Sequence, residues 1–582
     1  MMLPKRERAV TLAGLTYIAM ALFHIPDALF PHGFDKNAPA QLAALCAIAV
    51  VYLLFIALKA HRFHFHRLVI YGALALIATQ AASLLMSGSL LSSLIGDSGR
   101  FVGTLSVIAL LSVSLFHTQF KFEAFLHLLR FYTLAVQLVV LVGIAQHFEL
   151  IELPGAGGMS STLGNLDFFA AFVATSIPLL IIVALRASKR DKVFISLLIL
   201  LDTYALYLAG PLQGYLDIAF VLVGIAIFLL RKYIPRPSWS LNARTYLGSF
   251  AVIIWAEFIF LMPFLGDFVP VLGNDVQVKI RSNFWLAGMR QFFDHPLLGV
   301  GPDQYGNNYE QYRTLEDIVK YTNILSNDAH SASIQTLATV GILGTGAFLF
   351  LLTLVIRSLL IIWDKRIFDR RATFFLGLYI FIYLTNSFVS PFTLTHKYLF
   401  WAICGFLIGQ VYRIPKAKRD IGVSSKFLSL GFAALIISTV TPFIQGQINF
   451  LQNIERYAED NSVQLDYRPS IFLPCTMYFD AELLMAKNLG TDHAQSIAEN
   501  EIANNPRCVA AHTYLAEILV NSGEIEGLDK RISRLLEIAP ARNTTFSYAM
   551  YYASRVGDNE LRLELEKQMK RLGLVYIPGN LG

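Results

Sequence analysis

Residues 166–186, LDFFAAFVATSIPLLIIVALR, form an apolar run in which Asp167 is the one charged residue before the closing arginine. About 20 apolar residues are enough to cross the hydrocarbon core of a bilayer as an α-helix. Thirteen such runs occur in the chain, near residues 9–30, 41–59, 68–87, 101–117, 128–147, 166–186, 193–211, 212–230, 247–266, 334–356, 372–391, 398–413 and 427–444. The sequence therefore predicts an all-α, polytopic membrane protein of about 13 transmembrane helices, and it excludes a purely cytosolic enzyme.

The basic residues between these runs predict the orientation. With the N-terminus in the cytoplasm, the inward segments contain 26 Lys and Arg, whereas the short outward loops contain Lys36, Arg100 and Lys397. Cytoplasmic loops carry such an excess of cations in most membrane proteins. The N-terminus is therefore predicted to be cytoplasmic, and the odd number of spans places the C-terminal region outside the membrane.

The charges also divide the chain. Residues 1–444, the predicted membrane domain, have a net charge of +11, and residues 445–582, the predicted extracytoplasmic domain, have −5. Because the excess of basic residues lies in the membrane part, the total charge of +6 reflects topology, and nucleic acid is not an expected partner.

A long loop, residues 267–331, is the second segment predicted to lie outside the membrane. The cysteines form no CxxC pair, so the sequence indicates no metal site. Cys475 and Cys508 either form a disulfide in the exported region or remain free thiols.

The C-terminal region repeats itself at an interval of 34 residues. Pro506 recurs as Pro540, Tyr514 as Tyr548 and Gly523 as Gly557. This period is typical of tetratricopeptide repeats, in which pairs of antiparallel helices stack and bury a shared apolar face. We expect a short α-solenoid that binds or positions a protein partner, and a plain helical bundle is the alternative.

The long outer loop contains several cations in a chain that otherwise places them inside. Arg281, Arg290 and Arg313 lie there, and guanidinium groups bind phosphate oxygens at two points. An anionic ligand is the functional interpretation, whereas lipid headgroups or neighbouring carboxylates are the alternative. On one helix Arg281 and Arg290 are nine positions apart and face opposite sides. We therefore favour Arg281, which lies close to Trp285, as the ligand-binding residue.

His330 directly precedes the tenth apolar run. The positive end of the helix dipole lowers the pKa of an imidazole and favours a neutral base at pH 7, although Asp328 acts in the opposite direction. A lone interfacial histidine is most often structural. The surrounding pattern therefore decides how this residue is interpreted.

The string His330-Ser331, nine further residues and Gly341-Ile-Leu-Gly344 match the pattern His-[Asn/Ser/Gln]-x9-Gly-x-x-Gly. Upstream lie RSNFWLAGMRQFFDHPLLGVGPDQY at 281–305 and GNLDFFA at 164–170. With the number of spans and the late outer loop, these motifs resemble the O-antigen ligase superfamily over roughly residues 150–410. The two glycines lie on one face of the tenth span and would allow a neighbouring helix to approach closely.

The resemblance implies a glycosyltransferase of the GT-C type that needs neither a metal nor a cofactor. Such an enzyme transfers a glycan from an undecaprenyl-diphosphate carrier to an acceptor hydroxyl at the outer face of the cytoplasmic (inner) membrane. His330 would be the catalytic base, and Arg281 would bind the diphosphate. Further substrate-binding candidates are Arg290, Arg313, Gln213, Asn165 and Asp328. Ligation to a glycolipid, glycan polymerisation and protein O-glycosylation are all compatible with the resemblance.

Position 213 departs from the family pattern. Many members have a Ser-Arg-Gly motif there, which supplies a second arginine to the diphosphate, whereas this chain has Gln213 before Gly214. Either Arg313, Arg290 or Arg100 replaces that arginine, or the donor differs, or the activity is lost. The alternatives are thus an inactive scaffolding relative and a transporter or flippase of lipid-linked sugars. The chain halves lack the internal symmetry typical of transporters.

Overall fold

The computed structural model describes residues 5–22, 38–59, 66–97, 100–151, 158–231, 233, 239–265, 276–321, 324–413, 422–459 and 491–574. The regular elements in these residues are helices, without strands, so the predicted all-α class is confirmed. The α-helices are α1 (Lys5–Leu22), α2 (Ala38–Leu58), α3 (Arg67–Met86), α4 (Leu90–Ile95), α5 (Thr104–His117), α6 (Phe122–His147), α7 (Leu166–Leu185), α8 (Lys189–Ala209), α9 (Leu212–Leu230), α10 (Leu241–Leu261), α11 (Val276–Asp294), α12 (Tyr305–Tyr312), α13 (Leu315–Lys320), α14 (Ala332–Lys365), α15 (Arg370–Ser387), α16 (Leu394–Tyr412), α17 (Gly422–Glu459), α18 (Thr491–Asn504), α19 (Val509–Ser522), α20 (Leu528–Ile538), α21 (Asn543–Val556) and α22 (Asn559–Leu572).

Nine helices in the described part of the chain are long and apolar enough to cross a membrane. They are α2, α3, α6–α10, α14 and the segment Lys426–Gly446 of α17. Two shorter apolar helices, Arg8–Leu22 and Thr104–His117, coincide with two further predicted spans. The remaining two predicted spans fall on α15 and α16, which have polar residues near their ends. The chain is thus a multi-pass membrane protein, and the number thirteen stays a prediction.

One compact unit comprises Met1–Ala78, Leu105–Ile259 and Gly346–Val440. At its centre the apolar helix α7 is almost entirely buried against α6, α8, α9 and α15. The start of α7 is defined by Asn165, whose Oδ1 accepts a hydrogen bond from the Asp167 N–H at 2.8 Å. A side-chain acceptor at this position satisfies one of the N–H groups that the first helical turn leaves open.

The second unit comprises Thr79–Thr104, Phe260–Thr345 and Thr441–Gly582. It contains the outer-loop helices α11–α13, the first part of α14 and the C-terminal helices α18–α22. Within it, α20 contacts α12, α22 contacts α13, and α18 contacts α4. The C-terminal helices are therefore packed on the outer loop. The predicted domain boundary at residue 444 stays a prediction.

The 34-residue period is visible in the C-terminal helices. The bounds of α19 and α21 are offset by that interval, and each helix ends at a left-handed glycine, Gly523 and Gly557. Leu535, Phe546 and Leu565 belong to the buried apolar cluster that these helices share with their neighbours. The tetratricopeptide assignment itself stays a prediction.

The three cysteines that the structure describes fall into two groups. Cys508 is disulfide-bonded, whereas Cys46 on α2 and Cys404 on α16 are buried free thiols. Cys475, for which a disulfide with Cys508 is one of the two alternatives, lies outside the described residues. A disulfide is typical of a region exported to an oxidising compartment.

The helix α14 breaks at Gly341, which has φ 64° and ψ −168°. At the break, the Ala338 and Thr339 carbonyls accept hydrogen bonds from the N–H groups of Val300 and Gly301 at 2.9 and 3.0 Å. A Cβ at position 341 would overlap the Leu297 carbonyl group. The expectation that Gly341 serves close helix approach is therefore corrected: here glycine permits a left-handed break against the backbone of the outer loop.

We expect Gly341→Ala to destabilise the protein, because alanine is strained at positive φ and its Cβ lacks space. The loss should be about 2 kcal/mol or more, measured as a lower thermal unfolding midpoint in detergent. Gly346→Ala is the matched control, since a Cβ there meets no atom within 4 Å of its position. Equal midpoints for the two variants would contradict this account of the break.

Candidate functional site

His330 lies two residues before the start of α14 and has a left-handed backbone, φ 52°. Its N–H donates a hydrogen bond to Asp328 Oδ1 at 2.7 Å, and its carbonyl accepts one from Trp285 Nε1 at 3.4 Å. The imidazole packs on the Phe284 ring, with 5.3 Å between the centroids. Backbone and ring are thus positioned by α11 on one side and by the turn at Asp328 on the other. An unusual backbone conformation maintained by several contacts is typical of functional positions.

The imidazole of His330 is neutral at physiological pH. Burial lowers its pKa well below the ordinary value, and the guanidinium groups of Arg100 and Arg281 lower it further. Among the described residues, its buried Nδ1 has no hydrogen-bond partner. The lowered pKa has the direction expected from the sequence, and its causes are burial and two cations. Asp328 contacts the backbone N–H of His330 rather than its ring.

Arg100 belongs to a loop that is fixed by Asp303. The buried Asp303 carboxylate accepts hydrogen bonds through Oδ2 from the N–H groups of Asp97 at 2.8 Å and Val102 at 3.0 Å. These two donors flank Arg100 in the sequence. The outer loop thereby positions a cation from a segment more than 200 residues earlier. The sequence identified Arg100 as an outward cation, but not its proximity to His330.

The other two outer-loop arginines bind protein groups. Arg290 donates hydrogen bonds to the carbonyls of Tyr312 and Arg313 at 3.3 and 3.2 Å. Arg313 is buried, pairs with Asp317 at 2.6 Å and donates to the Tyr321 carbonyl at 2.7 Å. These contacts favour structural roles for both arginines, and their predicted substrate contacts stay predictions.

Two further candidates lie in the first unit. Asn165 caps α7, and its Oδ1 accepts a hydrogen bond from the Asp167 N–H. Gln213 donates through Nε2 to Asn386 Oδ1 at 2.9 Å, and Asn386 donates through Nδ2 to Asp217 Oδ2 at 2.8 Å. The amide at position 213 thus begins a chain of three polar side chains. The second unit brings together His330, Arg281, Asp328 and Arg100 instead.

The fold and this site define a multi-pass helical membrane protein with a neutral imidazole and two guanidinium groups close together. Residues 169–349, from within α7 to the middle of α14, match the family model of the O-antigen ligases. The match confirms the resemblance to the O-antigen ligase superfamily. It supports a glycan-transferring function of the ligase or polymerase type, and hence a glycosyltransferase-type enzyme. No curated protein matches the chain.

The neutral state of His330 can be tested without an activity assay. Diethyl pyrocarbonate modifies only the unprotonated imidazole, so labelling of His330, followed by mass spectrometry, should persist well below pH 6.5, the ordinary pKa. Arg100→Gln removes a positive neighbour, protonation becomes easier, and the pH midpoint of labelling should rise. Arg290→Gln is the control, because that guanidinium binds the Tyr312 and Arg313 carbonyls. An unchanged midpoint in Arg100→Gln would refute the electrostatic role.

Proposed function

We propose that the protein transfers a glycan from an undecaprenyl-diphosphate carrier to an acceptor hydroxyl at the outer face of the cytoplasmic membrane. The observation that carries this proposal is that the imidazole of His330, packed on Phe284, shares one compact unit with Arg100 and Arg281, whose guanidinium groups act on it electrostatically. A neutral imidazole accepts a proton, and guanidinium groups bind the phosphate oxygens of a leaving group. Both chemistries are needed when a hydroxyl displaces a diphosphate.

In the proposed reaction, the acceptor oxygen forms a bond with the anomeric carbon of the donor sugar. His330 accepts the proton of the acceptor hydroxyl, and the bond between the anomeric carbon and the diphosphate oxygen breaks. The negative charge that develops on undecaprenyl diphosphate is stabilised by Arg281. Trp285 and Asp328 orient the backbone at His330, and no metal takes part in these steps.

Arg100 is the second diphosphate-binding cation in this proposal. The three candidates to replace the arginine that is absent at position 213 are Arg313, Arg290 and Arg100. Arg100 is favoured because its guanidinium group, together with that of Arg281, acts electrostatically on His330. A diphosphate has two charged phosphate groups, so two guanidinium groups close to the base suit it.

The proposed orientation has a cytoplasmic N-terminus and exports both the outer loop and the C-terminal helices. The asymmetry of Lys and Arg between loops supports it. The disulfide at Cys508 supports it independently, because structural disulfides persist in oxidising compartments. The acceptor is then a glycolipid, glycan or protein on the outer face, and the C-terminal helices are available to a protein partner there.

We expect His330→Ala to reduce glycan transfer by roughly 100-fold or more, since a general base contributes about that factor. The assay follows transfer from an undecaprenyl-diphosphate-linked glycan to its acceptor in reconstituted membranes. His295→Ala is the matched control, because His295 is an exposed histidine of the same outer loop. Full transfer by His330→Ala would exclude the general-base role.

Arg281→Ala should weaken donor binding by about tenfold or more, as expected for the loss of charge-assisted hydrogen bonds. Arg281→Lys should retain part of the affinity, because it keeps the charge but loses the two-point geometry. Lys279→Ala, an exposed cation two residues earlier, serves as the control. Donor KM values that match the unsubstituted protein in both Arg281 variants would remove the diphosphate assignment.

A further inference from the structure

The C-terminal helices contact the outer loop through a bidentate ion pair. Arg542, between α20 and α21, donates from Nε to both carboxylate oxygens of Glu310 at 3.1 and 2.9 Å, and from Nη2 to Oε1 at 2.8 Å. The Glu310 side chain is mostly buried, at 12% exposure, whereas that of Arg542 is 37% exposed. A two-point guanidinium–carboxylate pair fixes orientation as well as distance.

Three further contacts accompany this pair within the same unit. Arg507 donates through Nη2 to Gln311 Oε1, next to Glu310 on α12. Ser89, just before α4, donates to Asn505 Oδ1 at 3.3 Å. The helix α22 contacts α13. The C-terminal helices therefore meet the outer loop at several places, and α12 receives two of the side-chain contacts.

The opposite side of α12 is packed towards His330. Tyr305 donates its hydroxyl to the Phe284 carbonyl at 2.8 Å, and its own carbonyl accepts Gln291 Nε2 at 3.2 Å. The Tyr309 ring lies 5.6 Å, between centroids, from the Phe284 ring, which in turn contacts the His330 imidazole. On the face of α12 that Gly306 shares with Glu310, a Cβ at Gly306 would meet the backbone of Asn327 at 2.8 Å. The helix α12 thus contacts the C-terminal helices as well as the residues that pack on His330.

We propose that Glu310 and Arg542 are positioning residues of the transferase. Their ion pair keeps α12 in contact with Phe284, and Phe284 in turn positions the imidazole of His330. The role of His330 in this inference rests on the proposed function. The C-terminal helices are then part of the catalytic apparatus rather than a separate docking module.

The decisive experiment is a charge swap in the full-length protein in reconstituted membranes. Arg542→Glu and Glu310→Arg each place like charges together, and each should lower kcat by about tenfold or more, because small displacements of a catalytic group are costly. The donor KM should stay within about twofold, since Arg281 and Arg100 are untouched. The double variant Glu310→Arg/Arg542→Glu restores opposite charges and should recover most of kcat.

Hydrogen exchange provides a readout that does not depend on transfer. Peptides covering α12 and residues 324–331 should exchange faster in each single variant and return towards the original rate in the double variant. Arg562→Glu is the matched control, because it disrupts a half-exposed pair with Glu566 within α22. This control should change neither kcat nor exchange at residues 324–331.

The outcomes separate this inference from the proposed function. Unchanged kcat and exchange in both single variants, or a double variant as impaired as they are, would overturn the positioning role. If the unsubstituted protein transfers no glycan, the proposed function fails. The hydrogen-exchange rates of residues 324–331 then still decide whether the ion pair stabilises the segment that contains His330.

Discussion

The break of α14 at Gly341 is the constraint on which the structure of the second unit depends. A membrane helix that breaks must find other partners for its freed peptide groups, because hydrocarbon supplies none. Here the Ile342 N–H donates to the Pro296 carbonyl at 2.9 Å, and Ser83 donates its hydroxyl to the carbonyls of Leu298 and Thr339. The segment 296–301 is thereby joined to the helix. The same bonds position Asp303, a few residues later, and the first turn of α14, which begins beside His330.

Most of the fold could be predicted from the sequence, because helix formation in a bilayer is governed by local composition. An apolar run of sufficient length has few alternatives to a helix, and each of the thirteen runs overlaps a helix within the described residues, the first of them over residues 9–22. The boundaries were less predictable. The tenth run includes Gly341, and an apolar glycine gives no local sign that it interrupts a helix.

The candidate site was predicted only in part, because its geometry depends on contacts between distant residues. The family pattern identified His330 and Arg281, which lie in one segment. The proximity of Arg100 depends on the bonds from Asp97 and Val102 to Asp303, and no periodicity reveals such pairs. A polar GPDQY string after an apolar stretch, in a segment already related to the family, was the available signal for Asp303.

Burial and two cations together set the protonation state of His330. Burial raises the free energy of the protonated imidazole most, and the guanidinium groups of Arg100 and Arg281 raise it further, so the imidazole is a weak base. In the proposed reaction, a diphosphate bound between Arg281 and Arg100 neutralises part of their charge. The pKa of His330 then rises in the complex and approaches the range that favours proton transfer. Donor binding itself would therefore prepare the base, and a glutamine at position 213 is compatible with this arrangement, because both cations come from elsewhere in the chain.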